Sequence, residues 1–183
     1  MEVDYNLFGI NGLNYIKNFI SEEEEDFLVK FIDNSLWDVS ISRRTQHYGY
    51  LYSYKKKAMP EKTTPIPKEF DFLTKRLQDN FIISEIPDQI IINEYLPGQG
   101  ISKHTDNIFY FKDNVLSLSL LSDIEMVFSR GSSDKNLILQ NRSLLQLTED
   151  ARYKWTHEII PRKYDNFIER SRRISITFRK MKI

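Results

Sequence analysis

Two stretches of strict alternation limit the fold of this chain more than any other feature. Leu116, Leu118 and Leu120 alternate with Ser117 and Ser119, and Ile174, Ile176 and Phe178 alternate with Arg173, Ser175, Thr177 and Arg179. A period of two belongs to a strand, because successive side chains leave an extended backbone on opposite sides. Short β-rich runs lie at Ile90–Tyr95, Val115–Leu121, Ile124–Ser129, Leu137–Leu139, Ser143–Leu147 and Arg172–Arg179, separated by Gly, Asn, Asp and Ser. Before residue 88 the period is helical. Ser21-Glu22-Glu23-Glu24 reads as a capping box, and Phe27, Leu28, Phe31 and Ile32 follow at helical spacing, so 22–34 is expected to be an amphipathic helix. The acidic first turn suits the positive end of the helix dipole, which makes these carboxylates structural rather than metal-binding. A second helix should start near Pro67, with Phe70, Leu73, Leu77 and Phe81 as its apolar stripe. Helices lead and strands follow, the order of an α+β domain with a β-sandwich or barrel core.

A length of 183 residues and an apolar content of 40% suit one compact domain. The expectation is a single unit over 1–183, with helices and a substrate-recognition segment in 1–87 and the catalytic β-core in 88–183. The chain has no cysteine, which excludes a disulfide scaffold, a thiolate nucleophile, a Cys-ligated zinc and an iron–sulfur cluster. No apolar run approaches a membrane span, and the N-terminus is acidic where a secretory signal is basic. An intracellular protein without membrane contact is expected, as a monomer. Formal charge is zero, but it is unevenly spread: residues 1–42 carry 2 basic and 9 acidic side chains, 43–57 carry 5 and none, 58–150 carry 9 and 14, and 151–183 carry 10 and 3. Two basic islands in an acidic chain are either separate solvated edges or, if folding joins them, a patch for a polyanion.

The three histidines include two in informative places. In His104-Thr105-Asp106 the imidazole and carboxylate, two residues apart, point to the same side of an extended backbone. With His157 they make the two-imidazole, one-carboxylate set of a non-haem Fe(II) oxygenase, which leaves coordination positions open for a co-substrate and O2. The same set suits a hydrolytic zinc, and isolated histidines also serve as hydrogen-bonded loop or core residues. Arg173 and Arg179 fall on one side of a strand, about 20 Å apart at ~3.3 Å per residue. Either that side faces solvent, or it faces inward and each guanidinium has an anionic partner, such as a dicarboxylate and the metal-site carboxylate.

Together these residues resemble a family. Asn93-Glu94-Tyr95 with Pro97-Gly98, then His104-Thr105-Asp106, is similar to the N-x-Y-x-P-G … H-x-D segment of AlkB-like, 2-oxoglutarate- and Fe(II)-dependent dioxygenases. Ser143-Leu144-Leu145 … Ala151-Arg152-Tyr153-Lys154-Trp155-Thr156-His157 resembles the segment with the third iron ligand, and Arg173-x5-Arg179 resembles the terminal R-x5-R. Arg43-Arg44 … His47-Tyr48-Gly49-Tyr50 and Ile160-Pro161-Arg162-Lys163-Tyr164-Asp165 are closest to the eukaryotic branch that hydroxylates a modified wobble uridine in tRNA. The chain departs from the family at Glu158, usually Gly, and at Ser175, where bacterial relatives place a co-substrate-contacting Asn. It also lacks the zinc-binding cysteines of the animal members, and their added RNA-recognition and methyltransferase domains are not expected within these residues.

The resemblance implies a double-stranded β-helix, or jelly roll, with His104, Asp106 and His157 on Fe(II). Arg173 would hold the distal carboxylate of 2-oxoglutarate with help from Tyr95. Asn93, Ser175 and Arg179 would complete the co-substrate pocket, and O2 would be the second co-substrate. The implied activity is hydroxylation of a nucleobase or its N-alkyl group in DNA or RNA, tRNA included. Substrate contact is expected from Arg43, Arg44, His47, Tyr48 and Tyr50. Tyrosines at 48, 50, 52 and 54 recur on every second residue, so on a strand they form one aromatic face able to stack a flipped base, with Arg43, Arg44 and Lys55–Lys57 on phosphates. The alternatives are that these tyrosines pack a sheet edge, that the substrate is a protein or small molecule, or that the domain is a non-catalytic binding module.

Overall fold

A computed structural model describes residues 2–51 and 60–182. The order is β1 (Glu2–Asp4), β2 (Leu13–Lys17), α1 (Glu22–Asp33), β3 (Thr45–Tyr48), β4 (Tyr50–Leu51), β5 (Glu61–Lys62), α2 (Asp71–Asp79), β6 (Gln89–Tyr95) and β7 (Ile101–His104). Then follow β8 (Phe111–Leu120), β9 (Ile124–Arg130), β10 (Ser133–Leu139), β11 (Leu144–Leu147), α3 (Glu149–Tyr153), β12 (Thr156–Ile159), β13 (Tyr164–Asp165), β14 (Ile168–Glu169) and β15 (Arg173–Met181). Seven strands form one antiparallel sheet in the order β1-β2-β11-β8-β15-β6-β3, and four form a second in the order β10-β9-β12-β7. Side chains from both enclose a shared apolar core that includes Tyr95, Val115, Leu145, Met126, Phe128 and Ile159. This is the expected jelly roll.

The capping box is present: Ser21 Oγ accepts from the Glu24 amide at 3.2 Å, and the Glu24 carboxylate accepts from the Ser21 amide at 2.9 Å. The second helix follows one 3-10 turn (Lys68–Phe70) and stops at Asp79. Phe70, Leu73 and Leu77 are buried, whereas Phe81, expected in the same stripe, is 94% exposed. The helix ends before it, and a φ of +56° at Phe81 turns its side chain out. Leu28, Ile32, Leu73 and Leu77 instead pack on Ile90, Ile92, Leu116, Leu118, Ile174, Ile176 and Phe178. Each such fully buried side chain contributes roughly 1.5–3 kcal/mol.

That packing settles which side of the alternating strands is which. The apolar side of the seven-stranded sheet lies under the helices, so the polar side of β15 looks into the space between the sheets rather than into solvent. Arg173 and Ser175 are buried there, and Ser119 of β8 is buried with them. Residues before 88 are not a separate layer: β1, β2 and β3 occupy both margins of the seven-stranded sheet. The expected boundary at residue 88 is therefore no division of the sheet.

Candidate metal centre

β7 and β12 pair with His104 opposite His157, which brings the two imidazoles to 4.4 Å between ring centroids. Asp106 lies two residues past His104, and its Oδ2 is 3.6 Å from His157 Nε2. One donor atom from each residue lies within 4.8 Å of the other two, the separation expected of groups sharing one ion. His104 Nδ1 is 2.7 Å from the Ser102 carbonyl, so it donates there and leaves Nε2 as the free lone pair. Burial pushes the His157 imidazole down to about 4 against the opposing pull of Asp106, so at neutral pH it is uncharged, the form that can hold a metal. Burial alone would raise the Asp106 carboxyl; Arg179, with His157, His104 and Arg152 behind it, outweighs that and holds it far below the usual carboxylate range. Arg179 Nη2 pairs directly with Asp106.

The same cavity is lined by Asn93, Tyr95, Ser175 and Thr177, with Arg173 at one end and Arg179 at the other. Asn93, Tyr95, Arg173, Ser175 and Arg179, expected from the sequence at a co-substrate, thus line one cavity with His104, Asp106 and His157. Arg173 is 1% exposed. Its Nη2 donates to Ser119 Oγ at 2.8 Å, and its guanidinium lies 5.3 Å from the Tyr95 ring centroid. Nε and Nη1 are buried with no hydrogen-bond partner among the described residues. Burial lowers the guanidinium to about 10, which still leaves it charged at neutral pH. A buried cation with two open donors is costly unless an anion joins it, and a carboxylate fits the guanidinium fork in bidentate fashion. The donor set suits Fe(II) and the open guanidinium suits one carboxylate of 2-oxoglutarate, so the residues present fit both groups.

Outside the metal residues a vestibule of about 250 Å³ is bounded by Arg43, Ile91, Ile101, Thr105 and Arg179. Arg43 Nε donates to Asn93 Oδ1 at 3.0 Å, tying the vestibule wall to the inner pocket. His47 pairs in register with Ile91, on the same side of the sheet. Its Nε2 lies 3.1 Å from Thr45 Oγ1, its Nδ1 has no partner among the described residues, and burial lowers its pKa. Two expected substrate residues are placed elsewhere. Tyr48 lies in the core beneath the helices, 6.0 Å from the Phe70 ring, with its hydroxyl on Gln46 at 3.1 Å, so it cannot stack a base. Arg44 grips Glu94 with Nε and Nη2 at 2.5 and 2.9 Å and lies over Trp37, inside an ion network completed by Arg172 and Asp33. The presumed aromatic face breaks at Gly49, whose φ is +78° and where a Cβ would sit 1.9 Å from the Asp88 carbonyl oxygen. Tyr50 resumes after it, half-buried; Tyr52, Tyr54 and Lys55–Lys57 lie outside the described residues.

Sequence reasoning missed Arg152. It is fully buried, and its guanidinium donates to the carbonyls of Asp106 at 2.8 Å and Asn107 at 3.2 Å. Only its place five residues before His157 hinted at this.

Comparison with known proteins agrees with this geometry. Residues 34–179 match the family described as the 2OG-Fe(II) oxygenase superfamily. Protein L905 of Acanthamoeba polyphaga mimivirus is 39% identical, over 93% of this chain and 85% of its own length. A tRNA (carboxymethyluridine(34)-5-O)-methyltransferase, alkbh8 of Xenopus tropicalis, is 36% identical over 93% of this chain, which spans only 32% of that longer protein. The solved structure of OsALKBH1 superposes with a TM-score of 0.68 at 15% identity, covering 92% of this chain and 96% of the other.

Proposed function

The chain belongs to the 2OG-Fe(II) oxygenase superfamily, and we propose that it hydroxylates a nucleobase, or an N-alkyl group on one, in a nucleic acid. Members of the superfamily are enzymes that take Fe(II), 2-oxoglutarate and O2. His104, Asp106 and His157 would hold Fe(II), which would supply the chemistry by which O2 converts 2-oxoglutarate to succinate and CO2 while its second oxygen atom hydroxylates a C–H bond. On an N-methyl group, hydroxylation leads to loss of formaldehyde; on a ring substituent it leaves an alcohol.

The residues divide the remaining work. His104 and His157 present neutral imidazoles, and Asp106 presents a carboxylate that Arg179 keeps ionised. Arg173 takes the distal carboxylate of 2-oxoglutarate, with Tyr95 beside it, while Ser119 fixes the guanidinium from behind. Asn93 and Ser175 line the passage between the two ends, and Asn93 links that passage to Arg43 at the entrance. Arg43, His47 and Tyr50 are the proposed substrate-side residues.

The substrate class rests on the AlkB-type relatives. The chain corresponds to a third of the frog protein, and methyl transfer is not oxygenase chemistry, so the kind of target carries over and the named reaction does not. A modified uridine in tRNA is accordingly the first substrate to try, with the protein working in cytoplasm or nucleus. The observation that carries the proposal is one cavity holding three convergent metal donors, a buried guanidinium with open donors and a base-sized vestibule. The test is incubation with Fe(II), 2-oxoglutarate and defined tRNA and alkylated DNA or RNA oligonucleotides, followed by mass spectrometry. Gain of one oxygen or loss of a methyl group, matched by succinate, is the expected result. Succinate formation stimulated only by peptides or small metabolites overturns the nucleic-acid assignment.

A further inference from the structure

The three metal residues are not held in the same way. His104 and His157 sit on paired strands, so backbone hydrogen bonds between β7 and β12 fix their relative position. Asp106 lies past the last residue of β7, outside any strand. Its carboxylate is gripped by Arg179, but its backbone has no ladder to rest on. Arg152 fills that gap. From α3, immediately ahead of β12, its Nη1 donates to the Asp106 carbonyl at 2.8 Å and its Nη2 to the Asn107 carbonyl at 3.2 Å. The helix is itself tied down, with the Ala151 amide on the Asn11 carbonyl at 2.9 Å and the Arg152 amide on the Thr148 carbonyl at 3.0 Å.

We propose that Arg152 is a positioning residue for the metal centre, setting the distance of Asp106 from the two histidines by clamping the carbonyls of 106 and 107 to the segment that carries His157. The inference rests on the reading of these three residues as metal ligands. A planar fork bridges two successive carbonyls; the single ammonium of a lysine cannot hold both in the same geometry. An apolar side chain of similar length would leave the buried Asp106 carbonyl without this donor and the Asn107 carbonyl with the Phe111 amide, at 3.2 Å. Asp106 would then be free to drift while the histidines stayed in register, so the loss should appear in metal affinity and ligand field before it appears in folding.

The test is titration of the metal-free full chain with Co(II), followed by visible absorption, for wild type, Arg152→Lys, Arg152→Met and the control His104→Ala. Arg152→Lys should unfold cooperatively and bind Co(II) about 10–100-fold more weakly, the usual cost of removing a group that orients a ligand, with altered d–d bands. Arg152→Met should bind at least as weakly; if it does not fold, Arg152→Lys, which keeps charge and approximate length, decides. Wild-type affinity and spectrum in Arg152→Lys, with only a lower thermal midpoint, overturn the proposal and make Arg152 a packing residue. Equal Co(II) binding by wild type and His104→Ala overturns the metal reading itself, and this proposal with it.

Discussion

Arg173 and Arg179 occupy one face of β15 and look into one cavity, yet they stand in opposite electrostatic conditions. Arg179 meets Asp106 in a buried ion pair and also donates to Gln89 at 3.2 Å. Arg173 meets a serine hydroxyl and an aromatic ring, and no carboxylate among the described residues pairs with it. At the metal end the chain itself supplies Arg179 with a carboxylate. The far end is one negative charge short. A buried cation that lines a cavity and keeps open donors there favours an anionic ligand.

The largest effect expected from breaking this asymmetry is at the metal end. His104→Ala or Asp106→Ala should lower succinate production by more than about a hundredfold, since even groups behind the ligands cost 10–100-fold. Asp106→Ala also removes the carboxylate that pairs with buried Arg179, so its thermal midpoint should fall below that of His104→Ala; equal midpoints would show that the pair carries no stability. Next come the arginines. Arg179→Met strands Asp106 and should cost about 3–5 kcal/mol in denaturant unfolding. Arg173→Met removes an uncompensated charge and should leave the unfolding free energy of the ligand-free protein at or above wild type, while sharply raising the 2-oxoglutarate concentration needed for half-maximal turnover. Equal destabilisation by both substitutions would erase the contrast.

A smaller effect lies at the entrance. Arg43→Ala should weaken oligonucleotide binding and reduce the salt slope by about 1 if Arg43 holds one phosphate. Arg44→Ala should leave that slope unchanged, because its guanidinium is committed to Glu94. The smallest is a pH effect. Burial would raise the Glu94 carboxyl, but hydrogen bonds from Arg44 and Arg172 outweigh it and hold it below the ordinary value. Its folded-state value is therefore below its unfolded one, so its stabilisation is complete above the unfolded value of about 4.3 and is lost as pH falls through the folded value. Both arginines are partly exposed, so Glu94→Gln should cost only about 1 kcal/mol at neutral pH and flatten the acid limb of a stability–pH curve.

The sequence exposed what depends on spacing along the backbone. Alternation at 116–120 and 173–179 located two central strands, and two-residue separation put His104 and Asp106 on one side. It could not say which side of those strands met solvent, because the usual rule of polar outside and apolar inside is inverted here: helices cover the apolar side and the polar side lines the site. The register that sets His157 against His104 is a long-range pairing with no local signature. Tyr48 was misplaced for a local reason, since Gly49 adopts a left-handed turn that breaks the alternation assumed to run through it. Arg44 looked like a phosphate contact because Glu94, fifty residues away in sequence, was not visible as its partner. Arg152 was hidden in the same way: its targets are backbone carbonyls, which no side-chain pattern announces.

The account is tested most directly by anaerobic absorption spectroscopy of the Fe(II)-loaded chain during titration with 2-oxoglutarate. The expected result is a weak visible charge-transfer band that saturates in wild type, is absent in Asp106→Ala and needs far more 2-oxoglutarate to appear in Arg173→Met. A folded, iron-loaded wild type that develops no band, or an Arg173→Met chain that titrates like wild type, contradicts it.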